Sequence, residues 1–137
     1  MNKNILVTKR DGRQESIDME KIHKVITWAA DGLTNVSVSQ VELRAHLQFF
    51  DGIKTSDIHE TIIKSAADLI SPEQPDYQYL AARLCVYHLR KKAYGKFEPP
   101  KLLEQIQNLT QQGFYDKEIL QKYSLDEIAT LEQYIQH

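Results

Sequence analysis

The stretch Val7-Thr8-Lys9-Arg10-Asp11-Gly12 joins two short extended runs, Ile5 to Arg10 and Arg13 to Ile17, and is followed by Asp18 and Lys21. Asp11-Gly12 readily takes the positive φ angles of a two-residue turn. The spacing therefore predicts a β-hairpin at the start of a chain that otherwise reads as helix. A lone two-stranded hairpin is marginal in water and must lie on something. With the turn at Asp11-Gly12, Arg10 faces Arg13 across the ladder. Opposed like charges destabilise a strand pair, and an anion between the hairpin and the helices would relieve them.

Working outward, Asp18 stands where an N-cap belongs, and Ile22, Val25, Ile26, Ala29 and Leu33 recur at helical spacing behind it. Ser39-Gln40-Val41-Glu42 has the spacing of a capping box, opening a second helix expected to run to about Phe50 before Asp51-Gly52 breaks it. Thr55 or Ser56 is expected to cap a third helix striped by Ile58, Ile62, Ile63, Ala66, Leu69 and Ile70. Pro72 and Pro75 end it. A fourth helix, roughly Asp76 to Tyr94, turns Leu80, Ala81, Leu84, Tyr87 and His88 inward and stops at Gly95. The expected fold is mainly α: a four-helix bundle capped by the small N-terminal hairpin, closed over residues 1–95.

Glu98-Pro99-Pro100 imposes a stiff, extended connection. Residues 96–137 form a helical extension, with one short helix around Leu102, Leu103 and Ile106 and another opened by the capping box Ser124-Leu125-Asp126-Glu127. Its apolar faces lack partners of their own, as at the start of something larger.

With 42% hydrophobic and 26% charged residues the chain is compositionally globular. A formal charge of −2 gives no overall bias toward nucleic acid or a membrane surface, so phosphate binding must come from a local cluster. Cys85, the single cysteine, excludes an internal disulfide and a cysteine cage for a metal, and between Leu84 and Val86 it reads as a small buried hydrophobe. No apolar run has the length of a signal peptide or a membrane span, and a cytoplasmic setting is expected.

The basic residues carry the chemistry. Lys9, Arg10, Lys21 and Lys91 come from separate elements that a capped bundle can gather around a polyphosphate. Thr55 and His59, four residues apart, share a helix face, with Thr55 at the positive end. Glu15 does not suit phosphate but would accept the amino group of a base. Each of these groups alone is also an ordinary surface charge, Trp28 and Tyr87 also suit packing, and the periodic helices equally suit a plain interaction module. Glycine-rich phosphate loops are absent, the histidines lack metal-ligand spacing, and no carboxylate pair is set up for acid–base work. The residues alone do not decide between interaction module and ligand sensor.

Three blocks taken together resemble the ATP-cone domain: Val7 to Gly12 with Glu15, Lys21-Ile22 and Trp28; Asp51-Gly52-Ile53-Lys54-Thr55-Ser56-Asp57-Ile58-His59; and Asp76 to Leu84. More narrowly, the whole chain, including Phe97-Glu98-Pro99-Pro100, is similar to the N-terminal part of the large subunits of class Ia ribonucleoside-diphosphate reductases of enteric-type bacteria. The resemblance implies a regulatory domain that binds ATP as activator or dATP as inhibitor, with Mg²⁺ accompanying the nucleotide. Carried over by position, Lys9, Arg10, Lys21, Thr55, His59 and Lys91 would meet the phosphates. Val7, Glu15, Ile17, Asp18, Ile22 and Tyr87 would surround the adenine and sugar. Asp18 replaces an amide usual in the family, and a carboxylate can only accept; Tyr87 replaces a phenylalanine and keeps the ring.

The family's chemistry uses several cysteines in a larger barrel, so this stretch by itself is expected to be non-catalytic and to lead into that barrel. Its implied partners are the radical-bearing small subunit and a second large subunit, with no role for nucleic acid or a membrane. The alternative is a degenerate ATP-cone that serves as an interaction scaffold without binding nucleotide.

Overall fold

The computed structural model describes residues 4–136. The hairpin forms from β1 (Leu6–Thr8) and β2 (Gln14–Ser16), antiparallel with Val7 opposite Glu15. Its turn differs from expectation. The Lys9 N–H donates to Arg13 O at 2.8 Å and the Gly12 N–H to Lys9 O at 3.0 Å, while Gly12 takes φ 86°. The loop is thus three residues long, a tight turn closed by a left-handed glycine. Lys9, not Arg10, stands opposite Arg13. Internal carboxylates relieve this opposition: Asp11 lies 2.6 Å from Arg13 and Glu15 lies 2.7 Å from Lys9. No external anion is needed for that purpose.

A third strand, β3 (Ile53–Lys54), lies parallel to β1 with Val7 opposite Ile53, giving the order β2-β1-β3. Two residues are too short to show period-two alternation, so this strand is invisible to pattern reading. It ties the hairpin to the helices. The Thr8 hydroxyl donates to Gly52 O at 2.9 Å, and the Gly52 N–H donates to Leu6 O at 2.8 Å.

The first unit contains α1 (Met19–Ala30), α2 (Val38–His46), α3 (Thr55–Ala67) and most of α4 (Tyr77–Tyr94). Asp18 caps α1 as expected, its carboxylate accepting the Lys21 N–H at 3.1 Å. Ser37 rather than Ser39 caps α2, accepting from the Gln40 N–H at 3.3 Å, and this helix ends at His46, short of Phe50. Thr55 is the first helical residue of α3 rather than its cap; Lys54 holds the cap position and provides no side-chain hydrogen bond.

One core joins these elements: Val7 and Ile53 from the sheet, Ile22 and Ile26 from α1, Val41 from α2, Ile58 and Ile62 from α3, and Tyr77, Leu80 and Leu84 from α4. Fully burying such a side chain contributes about 1.5–3 kcal/mol, so the core is what holds the hairpin down. Arg83 links α4 to the end of α1, donating to Ala29 O at 3.0 Å and Asp31 O at 2.6 Å. Cys85 is exposed, contrary to the sequence reading. It lies one residue past Leu84 on α4 and so turns away from the buried stripe.

The chain divides into two compact units, the first ending at Leu89 and the second beginning at Arg90. The second holds α5 (Leu102–Gln111), α6 (Glu118–Lys122) and α7 (Leu125–Glu132). Ile106 and Ile128 are buried in it, Ser124 caps α7 as expected, and Glu132 accepts the Leu102 N–H at 3.1 Å. The five-residue α6 was not anticipated.

Candidate functional site

The hairpin turn and the start of α3 enclose a cavity of about 310 Å³ lined by Thr8, Lys9, Arg10, Gly12, Lys54, Thr55 and Ser56. The parallel β1–β3 pairing creates it. Thr8 lies opposite Lys54, so the strand that leads into the basic turn runs beside the strand that leads into α3. The α3 cap position supplies no side-chain hydrogen bond, and the start of the helix presents the positive end of its dipole there. Lys9, Arg10 and Lys54 add three cationic side chains. A concave site with this lining suits a phosphate-bearing anion.

Of the six residues assigned to phosphate from sequence, Lys9, Arg10 and Thr55 line the cavity. The Thr55 hydroxyl donates to Thr8 O at 3.4 Å, a stitch between α3 and β1. His59 lies one turn further along α3 and belongs to a ladder of rings: its centroid is 5.7 Å from Tyr87 and 5.3 Å from His88, and Tyr87 is 6.0 Å from Trp28. Lys21 lies outside the lining and is largely exposed, its Nζ 3.8 Å from Asp18. Lys91 falls in the second unit.

The residues assigned to the base are distributed differently. Val7 and Ile22 are core residues, and Ile17 packs against that core. Glu15 is ion-paired with Lys9, whose hydrogen bond holds its carboxyl below the ordinary glutamate range. Asp18 is occupied as the cap of α1. Burial pushes the Tyr87 phenol up, so it stays neutral. Thr8, Gly12, Lys54 and Ser56 were missed as lining residues. The signal was present in Lys54-Thr55-Ser56, a cation followed by two hydroxyls at a helix start.

A second groove of about 460 Å³ between α1 and α2 is lined by Met19, Glu20, His23, Lys24 and Glu42, with His23 Nδ1 2.5 Å from Glu42. Two carboxylates make it a poor seat for an anion. Among the described residues there is no group of three His, Cys, Asp or Glu placed to hold a metal ion, and no helix is long and apolar enough to cross a membrane.

The chain thus combines a cation-bearing hairpin, paired beside the start of α3, with a small helical bundle, and residues 5–92 match the ATP cone domain. The chain belongs to the ATP-cone family. Over its whole length it is 62% identical to the ribonucleoside-diphosphate reductase subunit alpha of Haemophilus influenzae and 61% identical to the ribonucleoside-diphosphate reductase 1 subunit alpha of Escherichia coli. The corresponding subunit of enterobacteria phage T4 is 44% identical over 97% of the chain. The chain spans 18% of the length of each of these relatives.

Proposed function

We propose that the first unit is an allosteric nucleotide sensor in which the hairpin and the start of α3 receive the triphosphate of ATP or dATP. The observation that carries this reading is the cavity between Lys9, Arg10 and the uncapped first turn at Thr55. Cations on the lid and the positive end of the α3 dipole together suit the oxygens of a polyphosphate better than a single charge. His59, a turn beyond Thr55, extends the seat along α3. Mg²⁺ accompanies the triphosphate, bound mainly by phosphate oxygens and few protein ligands. Glu15 and Asp18, with Ile17 resting on the core residues Val7 and Ile22, form the base side, and Tyr87 backs it.

By likeness to the reductase alpha subunits, the module serves a larger enzyme in which ATP activates and dATP inhibits. Its output is association with the small subunit and with a second large subunit. A ligand shifts such an equilibrium only by its differential affinity for two states, so the lid and the helix ends that touch the nucleotide are where ATP and dATP must differ.

Calorimetric titration of the 137-residue chain with ATP and with dATP, each with Mg²⁺, tests this, beside His59→Ala and Lys9→Ala variants. Saturable binding that both substitutions weaken at least tenfold is the expected result. A folded chain that yields no heat with either nucleotide would overturn it and leave an interaction scaffold as the better reading.

A further inference from the structure

The lid carries its own counter-ions. Lys9 Nζ lies 2.7 Å from Glu15 Oε1, Arg13 Nε lies 2.6 Å from Asp11 Oδ2, and Lys21 Nζ lies 3.8 Å from Asp18 Oδ2. Of these three paired cations, only Lys9 also lines the cavity; Glu15 does not. The strand register explains the pairing. Glu15 stands opposite Val7, and Lys9 lies two residues beyond Val7, just past the end of β1, so the two side chains meet diagonally on one face of the hairpin. Both remain partly open, at 32% and 48% exposure. Lys9 therefore has two competing claims on its ammonium, an internal carboxylate on the hairpin and any anion that enters the cavity.

Resting on the nucleotide reading above, we propose that Glu15 is a displaceable counter-anion that makes the site favour a base-bearing triphosphate over a bare polyphosphate. An anion that takes Lys9 strips Glu15 of its closest cation and leaves the carboxylate near new negative charge. A ligand that also presents an N–H donor, as the exocyclic amino group of a purine does, gives that carboxylate a new partner. A bare polyphosphate offers no donor and meets the repulsion uncompensated. Selectivity then arises partly from what the wrong ligand fails to satisfy. Glu15 acts as a specificity-determining residue through this exchange, in addition to any contact with the base. Lys21 and Arg13 also hold the Glu15 carboxyl down at longer range.

The test is a double-mutant cycle on the full 137-residue chain with Glu15→Gln, Lys9→Gln and both together, titrated with inorganic tripolyphosphate and with ATP, each with Mg²⁺. Glu15→Gln is expected to tighten tripolyphosphate binding about two- to fivefold, the range of a partly exposed ion pair. ATP binding should gain less or weaken, so the preference for ATP over tripolyphosphate falls. In the Lys9→Gln background, Glu15→Gln should give a clearly smaller gain, because only the direct repulsion is then relieved.

Unaltered or weaker tripolyphosphate binding by Glu15→Gln overturns the proposal. So does an equal gain in the absence of Lys9, because that would be net charge alone. Either result, in a chain that still binds ATP, leaves the nucleotide reading intact; a chain that binds neither ligand removes both. The carboxyl ¹³C resonance of Glu15 in the unsubstituted chain gives a second readout. It should shift on saturation with tripolyphosphate as the carboxylate loses Lys9, and a resonance unmoved at saturation also overturns the proposal.

Discussion

Asp51 Oδ1 accepts the backbone N–H of Leu6 at 2.8 Å across 45 residues of sequence, anchoring the hairpin's first strand to the loop that leads into α3. Gly52 N–H returns the bond to Leu6 O, so both backbone polar groups of Leu6 are held by consecutive residues of that loop. Asp51→Ala should cost about 1–2 kcal/mol of stability, the worth of a hydrogen bond to a charged acceptor at an exposed site. Chemical denaturation gives the magnitude, and amide exchange at Leu6 should accelerate more than exchange in α4.

Gly12 closes the three-residue turn at φ 86° and lines the cavity. An added Cβ meets no atom within 4 Å, so the cost of Gly12→Ala is backbone strain, about 1–2 kcal/mol. Relaxation of that strain should move Lys9 and Arg10. Nucleotide affinity should fall severalfold in a chain whose circular dichroism is unchanged, as calorimetry would show.

Tyr77 is fully buried at the start of α4, accepts the Ser37 N–H at 2.9 Å and lies 3.3 Å from Gln40 Oε1. Its hydroxyl thus ties α4 to the capped start of α2. Tyr77→Phe keeps the ring but strands the Ser37 donor, and should cost about 1–3 kcal/mol in thermal or denaturant unfolding.

The lid should loosen in acid. The Asp11 carboxyl is held below its ordinary value, first by the Arg13 N–H and then by the Arg13 side chain; Lys9 lowers that of Glu15. A depressed folded-state value means stability that is present above the ordinary carboxylate values, 3.8 for Asp and 4.5 for Glu, and is lost as pH falls through the lowered ones. Amide exchange in β1 and β2 should therefore rise below about pH 4. A lid equally protected at pH 3 and pH 6 would contradict this.

Trp28, the single tryptophan, lies with its ring tilted 51° against Tyr87, which is tilted 41° against His59. Nucleotide bound beside His59 should change Trp28 emission, and Tyr87→Leu should abolish most of the change while leaving a calorimetric signal. Emission unaffected by saturating ATP would separate this ring ladder from the effector site.

Parts of the candidate site were legible where neighbouring residues obey local rules. Asp18 precedes an apolar-periodic run and caps it, and Thr55 and His59 are one turn apart on any helix. The errors have local causes too. Ser39 with Glu42 has the spacing of a capping box, but the cap is Ser37, whose hydroxyl accepts the Gln40 N–H while its own N–H goes to the Tyr77 hydroxyl. The Asp11-Gly12 pair suggested a two-residue turn because both residues tolerate positive φ. The chain uses only Gly12 in that way, which moves the register by one and places Lys9 opposite Arg13.

What the sequence by itself determined was the number and amphipathic faces of the main helices, the hairpin and the inventory of cations, since these depend on periodicity, capping and turn chemistry within a few residues. Only the tertiary structure decided that a two-residue strand at Ile53 would pair with Val7, that Lys54 would line the cavity, and that Glu15 would hold Lys9. Each of these is a pairing between separate segments. Its free energy comes from a shared core and a shared ladder, which no single segment contains.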